Sequence, residues 1–403
     1  MKRLIACFLL LGLPFLLLTT KASACPFCSA ATQTFTEEIT SMDAVVIATL
    51  IESPPKAKSA LAAEFAEDVA KSKFKVTSVI KGTDLVKPGD IIETLYFGEA
   101  KKDRSFLVMA VDPQNLMWST PLILTKRAES YVSKLLKVPQ KGTGKLRFFQ
   151  DYLEDKDEML ARDAYDEFAK APYDEVKALK PYMKHDQLVE WIKDRDIPAS
   201  RRRLYLTLLG VCGSDADLPL LEKMLRSQDR REKAGLDAMI ACYLTLRGAE
   251  GMPLIEELFL RNAKAEYADT YAAIMAIRFH GNENDIIPKK RLLVGLRYML
   301  ERPQLADLVI PDLASWQDWS QVDRLVTLFK EADEKTSWVR VPVVNYLRAC
   351  PHPEAKTRIA ELEKVDPEAV KRARTFFPFN TSKDKEADGK EDTAGASEAT
   401  AEK

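Results

Sequence analysis

The sequence predicts a β + α protein in two parts, a small β-barrel followed by an all-α helical repeat array. Three observations predict it. Short β-rich runs fill the stretch from Cys25 to 138, helical spacing takes over at Leu146, and the helical part repeats. The repeat length is roughly 30 to 40 residues, a span that fits one helix pair. A chain of 403 residues is too long for one ordinary core and predicts about two or three domains. Hydrophobic content of 46% and charged content of 30% belong to a soluble globular protein, and only 15 glycines favour helices over a large all-β fold. The net charge of −1 gives no basic field to recruit nucleic acid.

In the first part, Ala44 to Leu50 is a buried-strand run, and Phe74 to Ile80 alternates apolar and polar with period two. Lys81-Gly82-Thr83-Asp84 is a turn, and Gly89-Asp90 leads into a strand from Ile91 to Phe97. Another strand, Ser105 to Val111, ends at Asp112-Pro113. Residues 53–71, with Pro54 and Pro55, read as a long exposed connection. Thr125 is the N-cap of a closing helix, Lys126 to Leu136, whose Ala128, Tyr131, Val132 and Leu135 keep helical spacing.

Short strands closed by one helix resemble an OB-type barrel. The segments Cys25 and Cys28, Met42 to Ala48, Phe74 to Gly82 and Phe106 to Met109 resemble the netrin-like domain of the tissue inhibitors of metalloproteinases. The family's later cysteines are absent here, and two residues rather than one separate the first pair. The resemblance implies a metalloprotease inhibitor in which the Cys25 amine and carbonyl would chelate the enzyme's zinc.

Pro139 to Lys145, with Gly142 and Gly144, reads as a linker. Beyond it, 146–379 is helical. Ala161 to Ala169, Ser200 to Gly210, Lys233 to Cys242 and Trp338 to Cys350 are first helices of successive units. Leu218-Pro219-Leu220-Leu221-Glu222 and Met252-Pro253-Leu254-Ile255-Glu256 open the second helices of two of them. The pattern resembles a HEAT-type (armadillo-like) array, in which each helix pair buries its apolar face only against its neighbours.

The ends are of a different kind. Residues 1–24 read as a signal peptide: Lys2 and Arg3, an apolar run from Leu4 to Leu18, then Ala22 and Ala24 at the cleavage site. That run is too short to span a bilayer, so export with no transmembrane span after cleavage is expected. Residues 380–403 carry no aromatic or large aliphatic side chain and read as a disordered charged tail.

Cleavage would put Cys25-Pro26-Phe27-Cys28 at the mature N-terminus. Three roles stay open: a disulfide that pins the terminus, a thiol–disulfide redox pair, and lipidation of Cys25 as an anchor. A redox CxxC ordinarily sits where a helix begins after a core strand, and no such pattern surrounds this one. Cys212, Cys242 and Cys350 each fall near the end of a first helix and read as small buried hydrophobes. His185, His280 and His352 lie far apart and share no zinc or triad spacing, and Gly142-Thr143-Gly144-Lys145 is too short for a phosphate loop. No catalytic residue, metal or cofactor is expected. The acidic stretch from Asp151 to Glu167 reads as a solvated helical face. Arg201-Arg202-Arg203 reads as solvent-facing and seam arginines rather than an anion grip, and Trp316, Trp319 and Trp338 as core or cap.

The function these features favour is an exported, non-enzymatic binding or scaffold protein of the periplasm, envelope or medium. Its partner would be a protein or peptide of the cell envelope, held on the repeat surface. The alternatives are a thiol–disulfide oxidoreductase using Cys25 and Cys28, and the inhibitor implied by the netrin-like resemblance.

Overall fold

The computed structural model describes residues 27–28, 32–53, 71–96 and 104–376. The expected signal peptide, most of the 53–71 connection and the charged tail lie outside them. Thr34 opens the first helix, α1 (Phe35–Ser41), with a reciprocal cap. Its hydroxyl accepts from the Glu37 N–H at 3.3 Å, and its own N–H donates to Glu37 Oε2 at 3.0 Å.

Six strands follow: β1 (Ala44–Glu52), β2 (Ser72–Lys81), β3 (Ile91–Thr94), β4 (Ser105–Val111), β5 (Met117–Trp118) and β6 (Leu122–Leu124). Their order is β3-β2-β1-β4-β5, with β6 also on β4, and all pairs are antiparallel. Thr94 nearly closes the barrel, its hydroxyl donating to the carbonyls of Trp118 and Ser119 at 3.2 and 2.9 Å. This is the strand order of an OB-like barrel. Register shifts along β1 and β2 add the local bend that closure needs. Gly82, at φ +81°, makes the turn after β2, where an L side chain would meet the Asp43 carbonyl.

The unbroken apolar run of β1 has a physical reason. Ala44, Val46 and Ala48 face the barrel interior with Phe74, Val76, Phe106 and Val108. Val45 and Ile47 face outwards into a second core shared with α1, the closing helix and the helical array. A strand buried on both faces cannot alternate. The closing helix, α2 (Lys126–Leu135), has Thr125 as N-cap, its hydroxyl accepting from the Ala128 N–H at 3.0 Å.

The helical part runs α3 (Thr143–Gln150), α4 (Glu158–Ala169), α5 (Tyr173–Ala178), α6 (His185–Lys193), α7 (Ala199–Cys212), α8 (Leu218–Leu225) and α9 (Leu236–Arg247). It continues as α10 (Met252–Ile255), α11 (Tyr267–Asn282), α12 (Lys289–Arg297), α13 (Ile310–Ser315), α14 (Val322–Glu331), α15 (Arg340–Ala349), α16 (Glu354–Glu363) and α17 (Pro367–Phe376). The expected linker is shorter than its composition indicates. Gly142 caps α3 at φ +84°, and its N–H donates to Glu175 Oε2 at 2.7 Å.

Helices α7, α9 and α11 stack side by side, as do α13, α15 and α17, with α6, α8, α12, α14 and α16 packed behind. Charged pairs repeat along the seams. Arg203 meets Asp237 at 2.8 Å and Arg278 meets Asp312 at 2.9 Å, each pair 34 residues apart. Lys233 with Asp269, 36 apart, and Arg291 with Glu256, 35 apart, continue the ladder. One repeat of sequence is therefore one step of the stack.

Candidate functional site

The most distinctive region is where the N-terminal segment crosses onto the array. Phe27 is buried among Tyr173 on α5, Leu206 and Gly210 on α7, Ala238 and Cys242 on α9, and Phe279 on α11. Its ring meets Phe279 edge-on at 5.1 Å between centroids, and Tyr173 meets Phe279 at 5.2 Å. Burying one such ring contributes about 1.5–3 kcal/mol, and each aromatic pair somewhat more. Helices α7, α9 and α11 are apolar around most of their girth. They pack on the second layer with one face and offer the other to this aromatic socket.

A few residues on, the same segment is tied down by polar contacts. The Thr32 hydroxyl donates to Asp166 Oδ2 at 2.5 Å, and the Phe35 N–H donates to Asp163 Oδ1 at 2.7 Å. Tyr131 of α2 donates its hydroxyl to the other Asp163 oxygen at 2.5 Å. Lys170 pairs with Glu37, and Lys145 reaches Glu167 Oε2 at 2.6 Å. Burial pushes Asp163 up to about 6, against the pull of its hydrogen bonds from Tyr131 and Phe35. The solvated acidic face is thereby corrected. Asp163, Asp166 and Glu167 are all buried, because the barrel and the N-terminal segment lie over this face of α4.

Two open clefts flank the aromatic socket and share Tyr173 and Lys177. One, about 720 Å3, is bordered by Lys180, Ser214, Asp215, Asn284 and Ile286. The other, about 800 Å3, is bordered by Glu37, Lys145, Glu167, Lys170, Glu283 and Asp285. Both signs of charge line them, beside apolar and backbone surface.

Cys25 lies outside the described residues. Cys28 is half-buried and disulfide-bonded, its partner also outside them. Cys212, Cys242 and Cys350 are free thiols. Burial pushes Cys242 well up, which keeps it an inert thiol, and pushes Cys212 up while leaving it half-exposed.

The histidines stay apart in role. His185 opens α6 between Asp186 and Asp217, at 2.9 Å from each. His280 is buried in α11, with Nε2 3.1 Å from the Ala241 carbonyl and burial pushing it down to about 4. His352 is exposed. Among the described residues no group of three or more His, Cys, Asp or Glu could hold a metal ion. The arginine triplet splits three ways. Arg201 pairs with Glu154 and Glu158, Arg203 with Asp237 across the seam, and Arg202 is buried rather than solvent-facing. Trp316 lies against Gly281 and donates to Asn282 at 3.2 Å, Trp319 packs on Tyr346, and Trp338 is exposed.

Sequence reasoning passed over Phe27, Tyr173 and the Tyr131–Asp163 contact. Two signals pointed their way: the Thr34-x-x-Glu37 capping box just after the cysteines, and helices whose apolar residues run all round. The chain matches no protein-family model and, at significance, no curated protein. Among the described residues no helix is long and apolar enough to cross a membrane.

Proposed function

We propose that this is an exported, non-enzymatic binding protein of the cell envelope whose helical array holds an extended peptide segment of a partner protein. One observation carries the reading. The array already holds the N-terminal segment of this molecule by an aromatic anchor at Phe27, with open clefts on both sides. An aromatic side chain in a desolvated socket with a polar rim is how peptide anchors bind. The 34–36-residue ion-pair ladder supports a HEAT-type array, and the barrel's strand order supports the netrin-like resemblance. The burial of Phe27 favours a pinned terminus over a redox pair, whose thiol must be reachable, and over an inhibitor, whose terminus must reach into a protease.

The test uses the full chain, an envelope extract and then the purified partner. Lys177→Glu with Lys180→Glu, both at the cleft rim, should weaken binding about tenfold, the effect of losing well-placed charge complementarity. Lys87→Glu on the barrel should leave it unchanged. The reverse pattern would move the binding surface to the barrel and defeat the proposal.

A further inference from the structure

Behind the stack, between α6, α7 and α8, lies a smaller pocket of about 180 Å3 that the binding reading leaves unused. Its floor includes Arg202, which is only 1% exposed. Two of its nitrogens donate to the backbone carbonyls of Arg231 and Asp194, and its Nε has no partner among the described residues. Among the described residues no carboxylate touches this guanidinium. Burial pushes its pKa down, partly offset by Asp194 and reinforced by the neighbouring Arg195.

The rim repeats the same sign of charge. Lys193, Arg195 and Lys223 line the pocket, and Glu232 is its one carboxylate. Glu232 is already engaged, accepting from the Ser227 hydroxyl and lying 4.0 Å from Arg195, which also pairs with Asp229. Lys193 and Lys223 make no ion pair among the described residues. A buried, charged guanidinium that no carboxylate touches is costly, and its unpaired N–H adds to the cost. The volume corresponds to about six waters' share of liquid, room for a small oxyanion with some of its hydration. Ile192, Leu220 and Met224 supply walls that lower the local dielectric and strengthen any charge contact made there.

We infer that this pocket is an anion site that takes a phosphate group, with Arg202 donating from the floor and Lys193, Lys223 and Arg195 supplying the rim charge. The group could come from a free phosphate or from a phospholipid headgroup, because the recognising chemistry is shared.

The experiment titrates inorganic phosphate into the full chain by calorimetry at low ionic strength. A Lys193→Gln/Lys223→Gln double variant is titrated in parallel, since it changes only exposed side chains and leaves the buried arginine in place. Saturable one-to-one binding by the native chain is expected, weakened at least about tenfold in the double variant, with equal thermal midpoints before phosphate is added. Phosphatidic acid vesicles, set against phosphatidylcholine vesicles, separate the sources. Vesicle binding displaced by phosphate assigns the headgroup; phosphate binding without vesicle binding assigns a soluble phosphate. An absence of saturable binding to either probe overturns the site, as does binding that the double variant retains in full.

Discussion

At the junction between barrel and array the charges are inside, whereas along the array they stand at the seams. Asp163, Asp166 and Glu167 are buried and bonded to Thr32, Phe35, Tyr131 and Lys145, groups more than thirty residues away or on another element. The seam pairs, such as Arg203 with Asp237 and Arg278 with Asp312, are half-buried and join equivalent positions of adjacent repeats, while Arg230 with Glu266, at the edge, is largely exposed. The comparison teaches where specificity comes from. A seam pair meets one partner a single repeat on, so the same pair can be repeated along a stack, and an exposed one contributes little. A buried carboxylate must be met by particular donors, so the junction fixes one arrangement of N-terminal segment, barrel and first helices.

The largest effect should come from Phe27→Ala, which empties the aromatic socket. About 3 kcal/mol is expected, read as loss of protection from proteolysis across 27–41. A cost under about 1 kcal/mol would mean that the polar contacts alone hold the segment.

Next come two opposite pH slopes. Asp163 titrates near 6 in the fold against an ordinary 3.8, so its contribution is complete at low pH and lost as pH rises through 6. His280 is held near 4 against an ordinary 6.5, so its contribution is present above 6.5 and lost as pH falls towards 4. Each amounts to about 3 kcal/mol, and over pH 4 to 6.5 they largely cancel. Asp163→Asn should therefore expose a stability that rises with pH, and His280→Gln one that falls with pH. Urea midpoints measured across that window decide; parallel slopes in the two variants would remove the contrast between polar junction and apolar array.

A smaller effect is expected at Gly281. A methyl group there would run into the Trp316 ring, so Gly281→Ala should cost about 1–3 kcal/mol, and less in a Trp316→Phe background. Smallest of all, Arg230→Ala should change stability by under about 1 kcal/mol, because both partners are mostly solvated.

How much was legible follows the same division. The barrel strands, the Thr125 cap and the repeat of roughly 30 to 40 residues were readable because each rests on local spacing. The two shortest strands, β5 and β6, were not, since two or three residues carry no period. The burial of the acidic helix was invisible because its donors, Thr32, Phe35 and Tyr131, are spread over the chain. Phe27 was hidden between two cysteines whose chemistry drew attention from the ring. Arg202 reads like its ion-paired neighbours Arg201 and Arg203, and only packing sets it apart.

The most direct test of the account is hydrogen exchange of the full native chain, comparing peptides that cover 32–41 and 158–169. The Phe35 amide donates to Asp163, so the two segments should exchange together, with similar protection, and lose it together in Phe27→Ala. Fast exchange of 32–41 beside a fully protected 158–169 in the native chain would contradict a segment held on the array.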